Sequence, residues 1–273
     1  MTDPLAPLLE LAGVAEAVER ARVACEELRW HEAYRRRWRE VRAEAGLRAT
    51  QASCAVEGVR VPLSLVRELA TGGGTAPVVT GALGATVLVE QWMPALGARG
   101  AADLPPLRQL LVRVHVAATG GWLDEPSVGR LRVVGPPQDL TGLGPALAGD
   151  ELAARVDLLD RTVRTTQVPA LVVAAVVHGE LLTLRPFTAA NGLVARAVAR
   201  LLLTARGLDP TGSVVAEAAW AGALNPYLGA AAGFATGSPQ GVAAWVRAYG
   251  DAVVVGADEA RTIADAVLAG SLG

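Results

Sequence analysis

The residues able to do chemistry in this sequence are few, which makes their types and spacing informative. All 25 basic residues are arginine. A lysine Schiff base and a phosphate-loop lysine are therefore excluded. The histidines are His31, His115 and His178; the two cysteines are Cys25 and Cys54. Two distant cysteines exclude a disulfide scaffold or a cysteine-rich metal site and read as reduced thiols. The richest stretch runs from His178 to Arg196. Within it, Arg185-Pro186 ends one helix, because the residue before proline avoids the helical region. Asn191-Gly192 opens the next, with Asn as a favoured N-cap. A helix start offers free N–H groups and a positive dipole end, a seat for an anion such as phosphate. Arg196, just over one turn inside, can grip the same anion with two donors, and Arg185 approaches from the other side of the turn. The plainer reading is an Asn-Gly turn between two core helices, with His178 as a packed core histidine.

The elements that must position these residues are helical. The chain has 273 residues, of which 52% are hydrophobic, 19% charged and 4% aromatic. That balance excludes disorder and disfavours an aromatic-rich β-sandwich, while abundant Ala and Leu favour helices. Apolar periodicity predicts a helix over 6–44, then helices over 50–58 and after Pro62. Others follow over 77–97, 104–119, 147–165, 169–184, 191–206, 212–222 and 239–269. Residues 213–235 read as packed core helices rather than a membrane span. The basic run Arg35-Arg36-Arg37-Trp38-Arg39 reads as a solvated face paired with Glu32, Glu40 and Glu44. Residues 71–76 read as a Gly-rich linker between an N-terminal helical segment, 1–70, and a helical core, 77–273. Residues 129–137 alternate apolar and basic before Gly135-Pro136-Pro137, which predicts a short β-hairpin. A net charge of −2 gives no global attraction for nucleic acid or anionic membrane. No apolar run approaches membrane-spanning length, and Met1-Thr2-Asp3-Pro4 lacks a signal peptide's basic region. The expectation is a soluble cytoplasmic protein without nucleic-acid or membrane partners; a homo-oligomer stays open.

The stretch Arg185-Pro186-Phe187-Thr188-Ala189-Ala190-Asn191-Gly192-Leu193-Val194-Ala195-Arg196 resembles a degraded version of the Fic (Fido) motif, His-Pro-Phe-x-(Asp/Glu)-Gly-Asn-Gly-Arg-x-x-Arg. Pro186, Phe187, Asn191, Gly192 and Arg196 match it. Upstream, Ser53-Cys54-Ala55-Val56-Glu57-Gly58 resembles the Ser-x-x-x-Glu-Gly/Asn inhibitory helix that some Fic proteins carry N-terminal to their core. The 129–137 segment stands where the family has its target-docking flap, and Asn225-Pro226-Tyr227 follows the motif. The resemblance covers roughly residues 45 to 250. It implies an all-α Fic-type domain with a short hairpin flap. It also implies that Glu57, with Ser53 and Gly58 around it, pairs with Arg196 and competes with a nucleotide's γ-phosphate.

Family members transfer AMP or a related group from a nucleotide to a protein hydroxyl. Three chemical positions of that reaction are changed here. The motif histidine, the general base, is Arg185, which stays protonated and cannot accept a proton. The metal-binding acid is Ala189, which has no ligand atom, so Mg²⁺ is not expected. The first motif arginine, a phosphate contact, is Leu193. The leading expectation is a degenerate Fic protein, a pseudoenzyme related to the AMPylators. It keeps an anion or nucleotide pocket, with ATP as the possible ligand, built from Asn191, Gly192, Arg196 and Arg185. Two alternatives remain: an active metal-independent nucleotidyl- or phosphoryl-transferase, or a protein-interaction module that binds no nucleotide. The apolar flap residues Leu131, Val133 and Val134 are the candidate contact for a target protein.

Overall fold

The structure is a computed structural model that describes residues 3–98, 102–138 and 143–272. Its α-helices are α1 (Val14–Arg29), α2 (Trp38–Val56), α3 (Leu63–Ala70), α4 (Pro77–Trp92), α5 (Leu107–Thr119), α6 (Gly149–Thr165), α7 (Ala170–Leu184), α8 (Asn191–Ala205), α9 (Ala216–Gly222), α10 (Leu224–Ala235) and α11 (Pro239–Ala269). Among the described residues there is no strand. The architecture is all-α, as the composition implies.

The centre of the bundle is α7. Leu171 through Gly179 are all buried, so this helix has no polar face and must sit inside other helices. It packs against α8, α10 and α11. Helix α8 also meets α4 and α5, while α11 runs along α1, α9 and α10. Ser238 caps α11 by accepting the Gly241 N–H at 3.1 Å, and Pro239 occupies its first turn. One buried apolar core contains Val14 from α1, Ala45 from α2, Val198 from α8 and Val267 from α11. The helices on either side of Gly72-Gly73-Gly74 therefore share that core.

The N-terminal expectation needs correction. The predicted helix over 6–44 is broken into α1, a 3₁₀ turn at Glu32–Arg35 and α2, and the predicted helix over 50–58 is the last part of α2. At the break, His31 Nδ1 accepts the Ala33 N–H, and Tyr34 turns inward to hydrogen-bond Ser213 Oγ at 2.6 Å. A continuous helix could not bury Tyr34 while α1 lies on α11 and α2 crosses to α9. The helix expected from 212 starts at Ala216 instead. Asp209 holds the residues before it in a loop, accepting the Gly212 and Val214 N–H groups at 3.0 and 2.9 Å.

The predicted hairpin over 129–137 is absent. The segment runs irregularly and pairs with the motif loop rather than with itself. Arg132 N–H donates to the Pro186 carbonyl at 2.8 Å, and Gln138 N–H to that of Thr188 at 2.6 Å. Gly129 and Gly135 both have positive φ, which breaks the extended run at each end. The alternating pattern has a different cause. Arg132 is buried, whereas Val133 and Val134 are 71% and 80% exposed. Arg132 points in and these two valines point out, while Leu131 packs partly buried against the core and Arg130 is exposed, so burial does not follow the two-residue alternation of a strand.

Candidate functional site

The motif residues form the turn between α7 and α8. Arg185 caps the C-terminus of α7 at φ 45°, and Ala190 is the N-cap of α8 at φ 60°. They are the only non-glycine residues with positive φ among those described. A residue with a Cβ costs roughly 1–2 kcal/mol in this conformation, so both ends of the loop are strained. Asn191 corrects the sequence reading: it is the first residue of α8, not its cap. Its Oδ1 accepts the Phe187 N–H at 2.8 Å and its Nδ2 donates to the Phe187 carbonyl at 2.9 Å. The side chain read as an anion contact is spent closing the loop. Phe187, fully buried, stacks on the His115 ring at 3.9 Å between centroids.

Arg132 clamps the same loop from outside. Its guanidinium donates to the carbonyls of Gly135 and Leu147, each at 2.7 Å, and of Arg185 at 3.1 and 3.2 Å. Carbonyls at the end of α7 have no intrahelical donor, so a fork of N–H groups is what that end requires. Arg185 itself is buried, and its Nη2 donates to the Gly144 carbonyl at 2.6 Å. Glu180, near the end of α7, pairs with Arg155 at 2.7 Å. Ala189 is buried and offers only a methyl group. Leu193 packs in a small apolar cluster with Cys54, Val66, Val79 and Ala82. The set Ala189, Leu193 and a committed Asn191 does not fit a hard divalent cation, which needs several oxygen ligands. No cluster of three or more His, Cys, Asp or Glu able to hold a metal is present among the described residues.

Two predicted residues, Ser53 and Glu57, meet at a third, Arg196. Its Nε donates to Ser53 Oγ at 2.7 Å, and its Nη2 to the Ser53 carbonyl at 3.1 Å and to Glu57 Oε1 at 2.6 Å. Arg196 is 1% exposed and the Glu57 side chain 28%. Local sequence explains the meeting. Gly58, at φ 83°, ends α2 in the left-handed conformation, leaving Glu57 as its C-cap. The carboxylate lies against Gly192, where a Cβ would collide with Oε1. The end of α2 thus receives a cation, and the start of α8 receives an anion; each matches the local helix dipole. Burial opposes the Arg196 charge, yet Glu57 and Tyr227 hold the guanidinium pKa above its ordinary value.

Sequence reasoning missed three contributors. Tyr227, from α10, interacts electrostatically with the Arg196 guanidinium. Burial pushes its phenol up to about 12, against the pull of Arg196. The hydroxyl also meets His178 Nε2 at 3.0 Å. His178 is fully buried among Trp220, Trp245 and Tyr249, and its Nδ1 has no partner among the described residues. Burial, then the Arg196 charge, keep its pKa well below the usual value. His178 is a neutral core residue that supports Tyr227. The second contributor is His115. Its Nδ1 accepts the Gly129 N–H at 2.9 Å, so its Nε2 carries the proton and donates to the Ala189 carbonyl at 3.2 Å. Burial lowers its pKa to about 4. The third is Arg132. Tyr227 had a signal in Asn225-Pro226-Tyr227; His115 had none nearby. His31 lies elsewhere, paired with Asp265 at 3.0 Å.

No protein-family model and no curated relative matches the sequence. Solved structures do match the fold. A Fic family protein from Desulfovibrio desulfuricans G20 superposes with a TM-score of 0.72 at 21% identity, covering 90% of this chain and 74% of that one. Fic-1 from C. elegans gives 0.69 at 18%, covering 94% and 74%. A Fic domain containing signaling protein from Bacteroides thetaiotaomicron VPI-5482 gives 0.67 at 16%, covering 91% and 98%. The chain has the Fic fold, with the described residues all helix, turn and loop.

Proposed function

We propose that this chain is a catalytically degenerate Fic-fold protein, related to the AMPylators, that binds an anionic group of a nucleotide at the start of α8 in competition with its own Glu57. One observation carries the reading: a nearly buried arginine holds a half-buried carboxylate against the first turn of a helix. A carboxylate and a phosphoryl group present the same kind of oxygen to the same donors. Whatever displaces Glu57 must therefore be an anion. Transfer chemistry has no support at the motif positions. Arg185 cannot take a proton from a hydroxyl, and Ala189 cannot hold the metal that would neutralise a polyphosphate.

Calorimetric titration of ATP and ADP, with and without Mg²⁺, into wild type and Glu57→Gly tests this. Wild type is expected to bind weakly, Glu57→Gly more tightly, and neither to respond to Mg²⁺. Glu57→Gly also leaves the Arg196 charge without its carboxylate. It should lose about 2 kcal/mol of stability and regain it as anion is added. If neither protein binds, the nucleotide reading fails and a protein-interaction module remains. Label transferred from ATP to protein would instead support a metal-independent transferase.

A further inference from the structure

Between α2, α4, α8 and α9 lies an interior cavity of about 10 Å³ whose polar lining is Ser53, Thr86, Arg200 and Glu217. Arg200 and Glu217 are each 4% exposed. Arg200 Nη1 donates to Glu90 Oε1 at 3.0 Å, and Nη2 to the Gly212 carbonyl at 2.9 Å. Its Nε has no partner among the described residues, and neither has Glu217 Oε2. A buried donor and a buried acceptor without partners are each costly, and native proteins leave few of them. Here both belong to residues that border the same small space. Ser53 Oγ already accepts from Arg196 Nε, which leaves its own proton to donate. Thr86 Oγ1 is bonded to Thr50 Oγ1 at 2.8 Å and keeps acceptor capacity.

The occupant is constrained by these groups. A cation would face the Arg200 guanidinium, and an anion would face the Glu217 carboxylate. The occupant must be neutral, must accept from Arg200 and must donate to Glu217. The volume admits about one water-sized probe. We infer that this cavity is a binding site for a single internal water, which accepts from Arg200 Nε and Ser53 Oγ and donates to Glu217 Oε2 and Thr86 Oγ1. Buried waters typically make about three such bonds. The water joins α9 to the hydroxyl on which Arg196 rests. Glu217 and Arg200 are then positioning residues for Arg196, whether or not a nucleotide binds.

A crystal structure of the whole chain, at a resolution that shows ordered core water, tests the site directly. The expected result is a density peak within about 3.2 Å of both Arg200 Nε and Glu217 Oε2. No peak there, or Arg200 Nε bonded directly to Glu217, overturns the inference. A solution measurement tests the link to Arg196. Glu217→Gln retains groups that can bond the water, whereas Glu217→Leu does not. The Arg196 Nε–H, followed by NMR, should exchange with solvent several-fold faster in Glu217→Leu and at the wild-type rate in Glu217→Gln. Equal exchange in both variants would overturn the positioning role. If Glu217→Leu fails to fold, the wild-type density decides the water site alone.

Discussion

Gly192 and Glu57 make opposite predictions that a shared fold would not. Removing the carboxylate by Glu57→Gly opens the seat. Adding one methyl by Gly192→Ala also breaks the Glu57–Arg196 contact, because the new Cβ would collide with Oε1. That methyl stands where an anion would have to sit. Gly192→Ala is therefore expected to lose stability, about 1–3 kcal/mol, without any gain in nucleotide binding. Denaturant melts beside the same titrations would check this; an affinity gain equal to that of Glu57→Gly would show that the anion sits elsewhere. Arg196 is legible from sequence as the arginine that closes the motif pattern. Its pairing with Glu57, beside Ser53, was implied by the family resemblance alone; the approach of Tyr227 from α10 was not legible.

At the level of elements, the turn between α7 and α8 is held closed against its own backbone preference. Ala190 occupies a left-handed position where the motif pattern has glycine. Ala190→Gly should raise stability by about 0.5–1 kcal/mol, the relief of strain exceeding the lost methyl burial. A fall in Tm would mean that the loop carries no strain there. Arg132 is the clamp on the other end. Arg132→Ala removes the donor to the Arg185, Gly135 and Leu147 carbonyls. The amides of Phe187 and Arg132's neighbours should then exchange faster with solvent than those of central α7, read by hydrogen exchange. Uniform acceleration across the chain would point to global destabilisation instead. The β-hairpin expected here failed because period-two alternation reports which side chains face one way, not that a strand partner exists. Arg132 needed carbonyls, and the end of α7 supplied them.

For the molecule as a whole, acid should loosen the core at defined places. His115 titrates at about 4 in the fold against 6.5 ordinarily. Its contribution is complete above pH 6.5 and is lost as pH falls toward 4, because the unfolded chain binds the proton more readily. The loss approaches about 3 kcal/mol. His178 acts in the same direction. Glu217, whose pKa burial raises, works the other way and offsets part of the fall. Urea unfolding at pH 7 and pH 5 should show lower stability at pH 5, and His115→Gln should flatten the difference. An unchanged slope in that variant would remove His115 as the cause. Among the described residues no helix is long and apolar enough to cross a membrane.

Composition and period determined the helical class, and residue identity determined the motif, because both are local properties of neighbouring side chains. The departures from the motif pattern are likewise written in three letters, Arg185, Ala189 and Leu193. Tertiary structure decided what fills the site. Glu57 and Arg196 lie 139 residues apart, and no spacing rule reports whether the ends of α2 and α8 face each other. Their meeting depends on the left-handed Gly58, on the turn that buries Tyr34, and on α8 packing against α2. His115, Arg132 and Tyr227 entered the site for the same reason: each comes from a different element, brought in by packing that only the folded chain establishes.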